Sequence, residues 1–131
     1  MTITQTIERT TLSNLVSNEE YCRKVLPFIK ADYFDIKEER VVFEEITNFV
    51  EKYKRIPTKI SLEIEVESRK DLTQDQHTKI VEIIQTLDAT DVDMEWLVDT
   101  TEKFCKDKAI YNAIVDGISI IDGKDKKRSA D

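Results

Sequence analysis

The chain has 131 residues, which is the size of one domain with a single hydrophobic core. It is 40% hydrophobic and 36% charged with only two glycines and two prolines, a composition that favours helices over a turn-rich β protein. The net charge of -7 argues against broad binding to phosphate backbones or anionic lipid. No run approaches the roughly 18 apolar residues of a membrane span and no signal peptide is evident, so we expect a cytoplasmic protein.

The first half of the chain predicts three helices. The first runs from about Thr4 to Val16, and Ser17 with Glu20 forms a capping-box pattern that opens the second. Pro27 ends or kinks the second helix, because proline cannot donate a backbone hydrogen bond. The third helix, over residues 37–55, is the clearest amphipathic segment, since apolar residues recur at three- and four-residue steps. Those residues are Val42, Phe43, Ile46, Phe49, Val50 and Tyr53.

Residues 60–67 alternate strictly between apolar and polar side chains, which taken alone is typical of a β-strand. No second segment offers itself as a partner, and a lone strand leaves backbone amides unsatisfied. We therefore favour a helix here, with Thr58 as its N-cap after Pro57.

The second half of the chain predicts two more helices. Thr73 and Gln76 form a capping box that opens a helix ending near Leu87. The last helix is predicted from about Val92 to Ile121 with Gly123 as its stop, and thirty helical residues extend ~45 Å. That length exceeds a small compact body, so part of this helix should project from it.

The last helix carries an apolar seam, interrupted by Thr101 and Lys108, that lacks a partner in the sequence. Gly117 is tolerable within the helix if a neighbour packs closely there. Trp96 could be an interface hot spot, but we favour its packing the base of the helix onto the domain. The predicted protein interface consists of Leu97, Phe104, Ile110, Tyr111, Ile114, Val115, Ile118 and Ile121.

The carboxylates invite an enzyme hypothesis, because pairs such as Glu38 and Glu39, Glu44 and Glu45, or Asp91 and Asp93 could hold a metal or act as acid and base. Among 27 acidic residues such pairs arise by chance, so we interpret them as solvated surface and disfavour a metal-dependent hydrolase. His77 is expected to be exposed, and phosphate-loop, dinucleotide-binding and zinc-protease motifs are absent. No catalytic, cofactor-binding or metal-ligating residue is predicted. The two cysteines, Cys22 and Cys105, are expected to be buried or idle free thiols.

The order of these elements resembles the N-terminal domain of DnaB-family replicative helicases, most closely in the T-even-phage branch. The spacing of the segments is more specific than any one of them, and together they cover nearly the whole chain. The segments that carry the resemblance are Ile7-Glu8 through Leu12 and Leu15, Lys24-Val25-Leu26-Pro27-Phe28, Asp32-Tyr33-Phe34, Val42-Phe43 with Ile46, Ile56-Pro57-Thr58, and Glu95-Trp96-Leu97-Val98 with Thr101-Glu102-Lys103.

The resemblance implies an all-α fold with a helical head of about five helices over residues 1–90. Residues 91–121 would be a long helix, the first arm of a collar hairpin whose second arm lies beyond Asp131. Residues 122–131 would be a basic linker toward a helicase motor domain. Within that segment, contact with DNA is the weaker interpretation and a solvated linker the stronger one. The basic side chains in question are Lys124, Lys126, Lys127 and Arg128.

By the same resemblance, the domain assembles a homo-oligomer, a hexamer in the full-length protein, and docks primase or a helicase loader. ATP and Mg²⁺ would belong to the motor domain of the parent protein, and no cofactor is expected within this chain. A membrane role and direct DNA binding are not implied. The alternative hypothesis is a freestanding helical adaptor or regulator that binds a host or phage protein.

Overall fold

The computed structural model describes the backbone of residues 1–130 and the side chains of residues 1–119. As predicted, the fold is all-α, and this part of the chain contains no β-strand. None of its helices is both long and apolar enough to cross a membrane. Two short 3₁₀ turns, Leu26–Phe28 and Ala31–Tyr33, connect α2 to α3. The α-helices are α1 (Ile3–Ser17), α2 (Glu19–Val25), α3 (Lys37–Tyr53), α4 (Lys59–Glu67), α5 (Gln74–Gln85) and α6 (Met94–Ala130).

Helices α1 through α5 pack around one hydrophobic core and form a head. The first turns of α6 complete this core. Helix α3 is central, since it packs against α1, α4 and α5, while α2 packs against α1 and α6. Burial of these apolar side chains is the main stabilising contribution to a domain of this size. The largest fully buried apolar side chains are Leu12, Leu15, Tyr21, Phe34, Ile46, Leu62, Ile80, Ile84 and Leu87.

Side-chain caps fix the starts of most helices, but one cap differs from the prediction. The predicted caps Thr58 and Thr73 are confirmed, and each accepts a hydrogen bond from the third amide of its helix. Ser17 is instead the last residue of α1 and donates to the carbonyl of Ser13. Asn18 caps α2 by accepting from the Tyr21 amide, so the predicted Ser17 capping box is wrong. Asparagine caps as well as serine does, and a one-residue shift in the pattern is enough to exchange them.

Helix α4 explains the strand-like alternation of residues 60–67. Leu62 and Val66 are buried against the head, whereas Ile60 and Ile64 are exposed on the opposite side of the same helix. At about 100° per residue, positions two apart fall on opposite sides of a helix, so two apolar faces produce a period of two. The predicted helix is confirmed, and its outer apolar face is a feature that the sequence pattern alone did not distinguish.

Helix α6 begins at Met94, where Asp93 accepts a hydrogen bond from the Trp96 amide. It continues to Ala130, so the predicted end at Ile121 with Gly123 as a stop is wrong. Residues 122–130, predicted as a linker, are part of the same helix. A glycine within a helix costs about 1 kcal/mol relative to alanine, and the lysines and arginine around it are good helix formers. Without a proline, one glycine is not a sufficient stop.

Candidate functional site

The base of α6 belongs to the head. Leu97, Thr101, Phe104 and Cys105 are buried there. The hydroxyl groups of Tyr21 and Thr101 share a buried hydrogen bond of 2.6 Å, and the Thr101 hydroxyl also reaches the Leu97 carbonyl. A buried hydrogen bond of this kind fixes the rotation of α6 about its axis, because any other rotation would leave a buried hydroxyl group without a hydrogen-bond partner.

Polar contacts mark the place where α6 leaves the head. The ammonium group of Lys108 lies 2.7 Å from the carboxylate of Asp35 and 4.0 Å from that of Glu8. One turn later, the side-chain amide of Asn112 donates to the Asp32 carbonyl at 3.3 Å. Among the described side chains, this is the last hydrogen bond between α6 and the head. We call the part of α6 that follows Lys108 the arm.

The apolar side chains around and beyond that junction are exposed. Their exposed fractions lie between 40% and 61%, although each is a large apolar side chain. At about 100° per residue they cover an arc of about 140° on one side of α6. We call this surface the arm face, and its members are Ile110, Tyr111, Ile114, Val115 and Ile118.

The predicted interface therefore divides into two groups. Leu97 and Phe104 lie in the core of the head and are not exposed, because α2 and the second 3₁₀ turn cover the base of α6. The other five described residues form the arm face, and their contact with another chain stays a prediction. The following predicted residues lie outside the described side chains: Ile121, Lys124, Lys126, Lys127 and Arg128.

Trp96 was predicted to pack the base of α6 onto the head, and this is wrong. Its side chain is 54% exposed, while its neighbours Met94 and Val98 pack against the core. Trp96 is one residue before Leu97 in the helix and is turned by about 100° from the buried side. A large aromatic residue at an exposed position is a candidate contact for a protein partner.

Two carboxylates, those of Glu8 and Glu39, are buried at the junction of α1, α3 and α6. Glu39 was predicted to be part of the solvated surface, which is wrong, and the sequence did not single out Glu8 as a candidate. Glu39 accepts two hydrogen bonds from Arg9, at 3.1 and 3.4 Å. Glu8 has no hydrogen bond to either oxygen among the described residues. Burial, reinforced by the nearby negative charges of Asp35 and Glu39, raises the pKa of Glu8 to about 7. Glu8 therefore binds a proton in the folded state under conditions where an exposed glutamate is ionised.

A second polar cluster of the head is centred on Arg69. Arg69 bridges Glu44, Glu45 and Asp71, and burial raises the pKa of Glu45 while Arg69 opposes that shift. His77, expected to be exposed, is half-buried with an unpaired Nδ1 among the described groups. Within this part of the chain, no three histidine, cysteine or acidic side chains are grouped as metal ligands.

The two thiols are buried and free, as predicted. Burial raises the pKa of both Cys22 and Cys105 to about 11. A thiol with so high a pKa is a poor nucleophile near neutral pH. Both cysteines therefore act as small apolar side chains of the core.

Comparison with known proteins agrees with this architecture. The family described as DnaB-like helicase N terminal domain matches residues 2–95, which include the whole head and the start of α6. The chain belongs to this family. It is also 28% identical over 102 residues to the DnaB-like replicative helicase of Enterobacteria phage T4. The aligned region covers 78% of this chain and 21% of that protein, so the chain spans about a fifth of the relative's length. The resemblance predicted from the ordered segments is confirmed.

Proposed function

We propose that the chain is the N-terminal collar domain of a replicative DNA helicase and that the arm face joins copies of it into a ring. The observation that carries this proposal is the exposed arm face on a helix that extends beyond the head. Exposing an apolar stripe to water has a free-energy cost, and a second helix that covers the stripe removes this cost. Burying one large apolar side chain contributes about 1.5–3 kcal/mol.

Assembly and ATP hydrolysis would then belong to different domains of the parent protein. The head and arm supply assembly, as a hexamer in the full-length protein, and a surface on which primase or a helicase loader docks. ATP hydrolysis with Mg²⁺ belongs to a motor domain outside this chain. The net negative charge of the chain is compatible with contacts to proteins and disfavours direct binding to DNA.

The experiment measures self-association by light scattering across a range of concentrations. We expect the wild-type chain, or a chain extended by about forty residues to supply a second arm of similar length, to form oligomers. Ile114→Ser with Ile118→Ser removes two members of the arm face and should shift the protein to smaller species. Ile60→Ser with Ile64→Ser is the matched control, because both are exposed isoleucines on α4, which packs against α3 and α5.

Strict monomers for both chain lengths at high concentration would contradict the assembly part of the proposal. The alternative, a freestanding helical adaptor, is distinguished by the gene. An open reading frame that continues from Asp131 into a phosphate-binding loop supports the helicase, whereas a stop codon there supports the adaptor.

A further inference from the structure

Three buried carboxylate oxygens lie between α1 and α3 without a hydrogen-bond donor. Glu8 is 0% exposed and Glu39 is 1% exposed. Both oxygens of Glu8 and Oε2 of Glu39 lack a partner in the part of the chain that the structure describes. Arg9 donates to the other oxygen of Glu39, Oε1, at 3.1 and 3.4 Å. A buried carboxylate oxygen without a donor is costly, so a further donor is expected at this site.

A single proton can serve both carboxylates. When Glu8 is protonated, its hydroxyl group can donate to Oε2 of Glu39, while Oε1 keeps its hydrogen bonds from Arg9. Burial contributes most to the raised pKa of Glu8, and the charges of Asp35 and Glu39 and a hydrogen bond to Glu39 add to it. Two neighbouring buried carboxylates repel each other when both are ionised, and one shared proton removes this repulsion.

Charged groups surround this pair on the helices that pack against α1. Arg9 of α1 is occupied by Glu39, and Asp35 lies just before α3. Lys108 of α6 is therefore the cation that can respond to the charge of Glu8. The charged side chains of α2, which also packs against α1, are exposed and pair with one another, Arg23 with Glu19 and Lys24 with Glu20.

Lys108 lies between an exposed carboxylate and a buried one. Its ammonium group is 2.7 Å from Asp35, whose side chain is 59% exposed, and 4.0 Å from Glu8, whose side chain is fully buried. Water screens the attraction to an exposed charge more than the attraction to a buried one. Asp35 therefore holds Lys108 as long as Glu8 is protonated, whereas an ionised Glu8 attracts Lys108 more strongly than Asp35 does.

We propose that Glu8 and Glu39 share one proton in the folded head, and that release of this proton to the solvent moves the Lys108 ammonium group from Asp35 to Glu8. The carboxylate pair then passes from one negative charge to two, and Lys108 keeps its own proton and compensates the added charge. The arm begins directly after Lys108, so the proton determines how the start of the arm is bound to the head. This mechanism lies within a single chain and does not depend on the assembly proposed above.

The first test is a titration of the full chain, labelled with ¹³C, from about pH 4 to about pH 9. Nuclear magnetic resonance follows the side-chain carboxyl carbons of Glu8 and Glu39. We expect both signals to change in one step near pH 7, because one proton belongs to the pair. A Glu8 signal that titrates near 4.5 like that of an exposed glutamate, or a Glu39 signal that ignores the step, would overturn the shared proton.

Glu39→Gln separates the shared proton from simple burial. The variant keeps an oxygen for Arg9 and places an amide donor where Oε2 was, so an ionised Glu8 gains a hydrogen bond and loses a negative neighbour. The pKa of Glu8 should fall by at least about 1 unit. Glu38→Gln is the matched control on α3, about 100° away around the helix, and should leave the Glu8 titration unchanged. Thermal unfolding checks both variants, and an unchanged Glu8 pKa in Glu39→Gln contradicts the sharing.

The movement of Lys108 has its own readout, the ¹⁵N signal of its ammonium group. This signal should change in the same step in the wild type and stay constant in Glu8→Gln, which carries an amide donor at every pH. Lys108→Gln should raise the pKa of Glu8 by about 1 unit. Lys106→Gln, at an exposed position about 200° around the helix, should not change it. An ammonium signal that stays constant through the wild-type step would leave Lys108 on Asp35 and overturn its movement, while self-association through the arm face would be unaffected.

Discussion

The base and the arm of α6 share one sequence pattern but lie in different surroundings. Leu97 and Phe104 at the base are buried, whereas Tyr111 and Val115, which continue the same three- and four-residue steps, are exposed. The periodicity predicted the buried side of the helix correctly at Leu97 and Phe104, whereas a partner for the arm face stays a prediction. It carried no information about what covers that face, because coverage depends on how far the head extends along α6.

The limit of that coverage is a polar junction. The ion pair between Lys108 and Asp35 and the hydrogen bond from Asn112 are placed where the apolar contacts end. Lys108 was interpreted in the sequence as an interruption of the apolar seam. In the structure it marks the point on α6 beyond which no described side chain of this helix is buried.

The largest expected difference between the two regions is in the free energy of unfolding. Phe34 is fully buried and packs against the base of α6. The centroid of its ring lies 5.3 Å from that of Phe43 and 6.4 Å from that of Phe104. Phe34→Ala should lower the free energy of unfolding by about 3–5 kcal/mol, because the core cannot close around the missing ring. Ile114→Ala in the arm should change it by less than about 0.5 kcal/mol.

Chemical denaturation at a concentration where the protein is monomeric measures both values. Equal losses for Phe34→Ala and Ile114→Ala would show that the arm is packed within a single chain, contrary to its observed exposure. A small effect of Phe34→Ala alone would contradict the placement of the aromatic cluster in the core.

Much of the head could be predicted from the sequence, because strong local signals determine its helices. The caps Thr58 and Thr73 and the amphipathic pattern of α3 depend only on residues within one helix, and the structure agrees with them. The helix predicted at residues 60–67 is also confirmed, although the lack of a strand partner and the family resemblance favoured it and the local pattern did not.

Long-range packing is what the sequence did not reveal. Glu8 and Glu39 carry no mark that separates them from the many exposed carboxylates, and their burial depends on α1, α3 and α6 meeting. Trp96 is the converse case, since an aromatic residue at the base of a helix suggested packing that no neighbour provides. The arm face was found as a stripe, but its division from the core required the three-dimensional structure.

A second prediction concerns Glu8, at the junction of head and arm. Its pKa in the folded state is about 7, above the value of 4.5 for an exposed glutamate. Between these values the folded state holds a proton that the unfolded state has released. Stability should therefore fall by about 1.4 kcal/mol per pH unit as the pH rises through this window. The Glu8 contribution is fully present below the unfolded pKa and is lost above pH 7.

Glu8→Gln removes this titration while keeping the size of the side chain. We expect the variant to lose the Glu8 part of the pH dependence between pH 4.5 and 7, while Glu45, whose pKa is also raised by burial, keeps its own part. The variant should be more stable than the wild type at pH 8 by up to about 3 kcal/mol. Denaturation at a series of pH values measures the slope. An unchanged slope in Glu8→Gln would place the titrating group elsewhere.

The third prediction compares two tyrosines, one on each side of the division. Tyr21→Phe removes the hydroxyl that shares the buried hydrogen bond with Thr101 and should destabilise the fold by about 1–2 kcal/mol. Tyr111→Phe is the matched change in the arm, where the ring is exposed, and should have almost no effect. Thermal unfolding of the two variants checks the difference. A comparable loss for Tyr111→Phe would indicate that its hydroxyl has a partner within the same chain.

The smallest expected effect is at Gly117 in the arm. A Cβ atom added there meets nothing within 4 Å, and Gly117→Ala reduces the entropy lost when the helix forms. The arm should gain about 0.5–1 kcal/mol of local stability, while unfolding of the head should not change. Hydrogen exchange of the arm amides should slow by up to about 5-fold, because protection follows the local opening free energy.

Gly117 lies beside Ile110 at the edge of the arm face, so an added methyl group should leave self-association intact. If that methyl group abolished association while slowing exchange, the second helix would have to approach α6 at Gly117 itself.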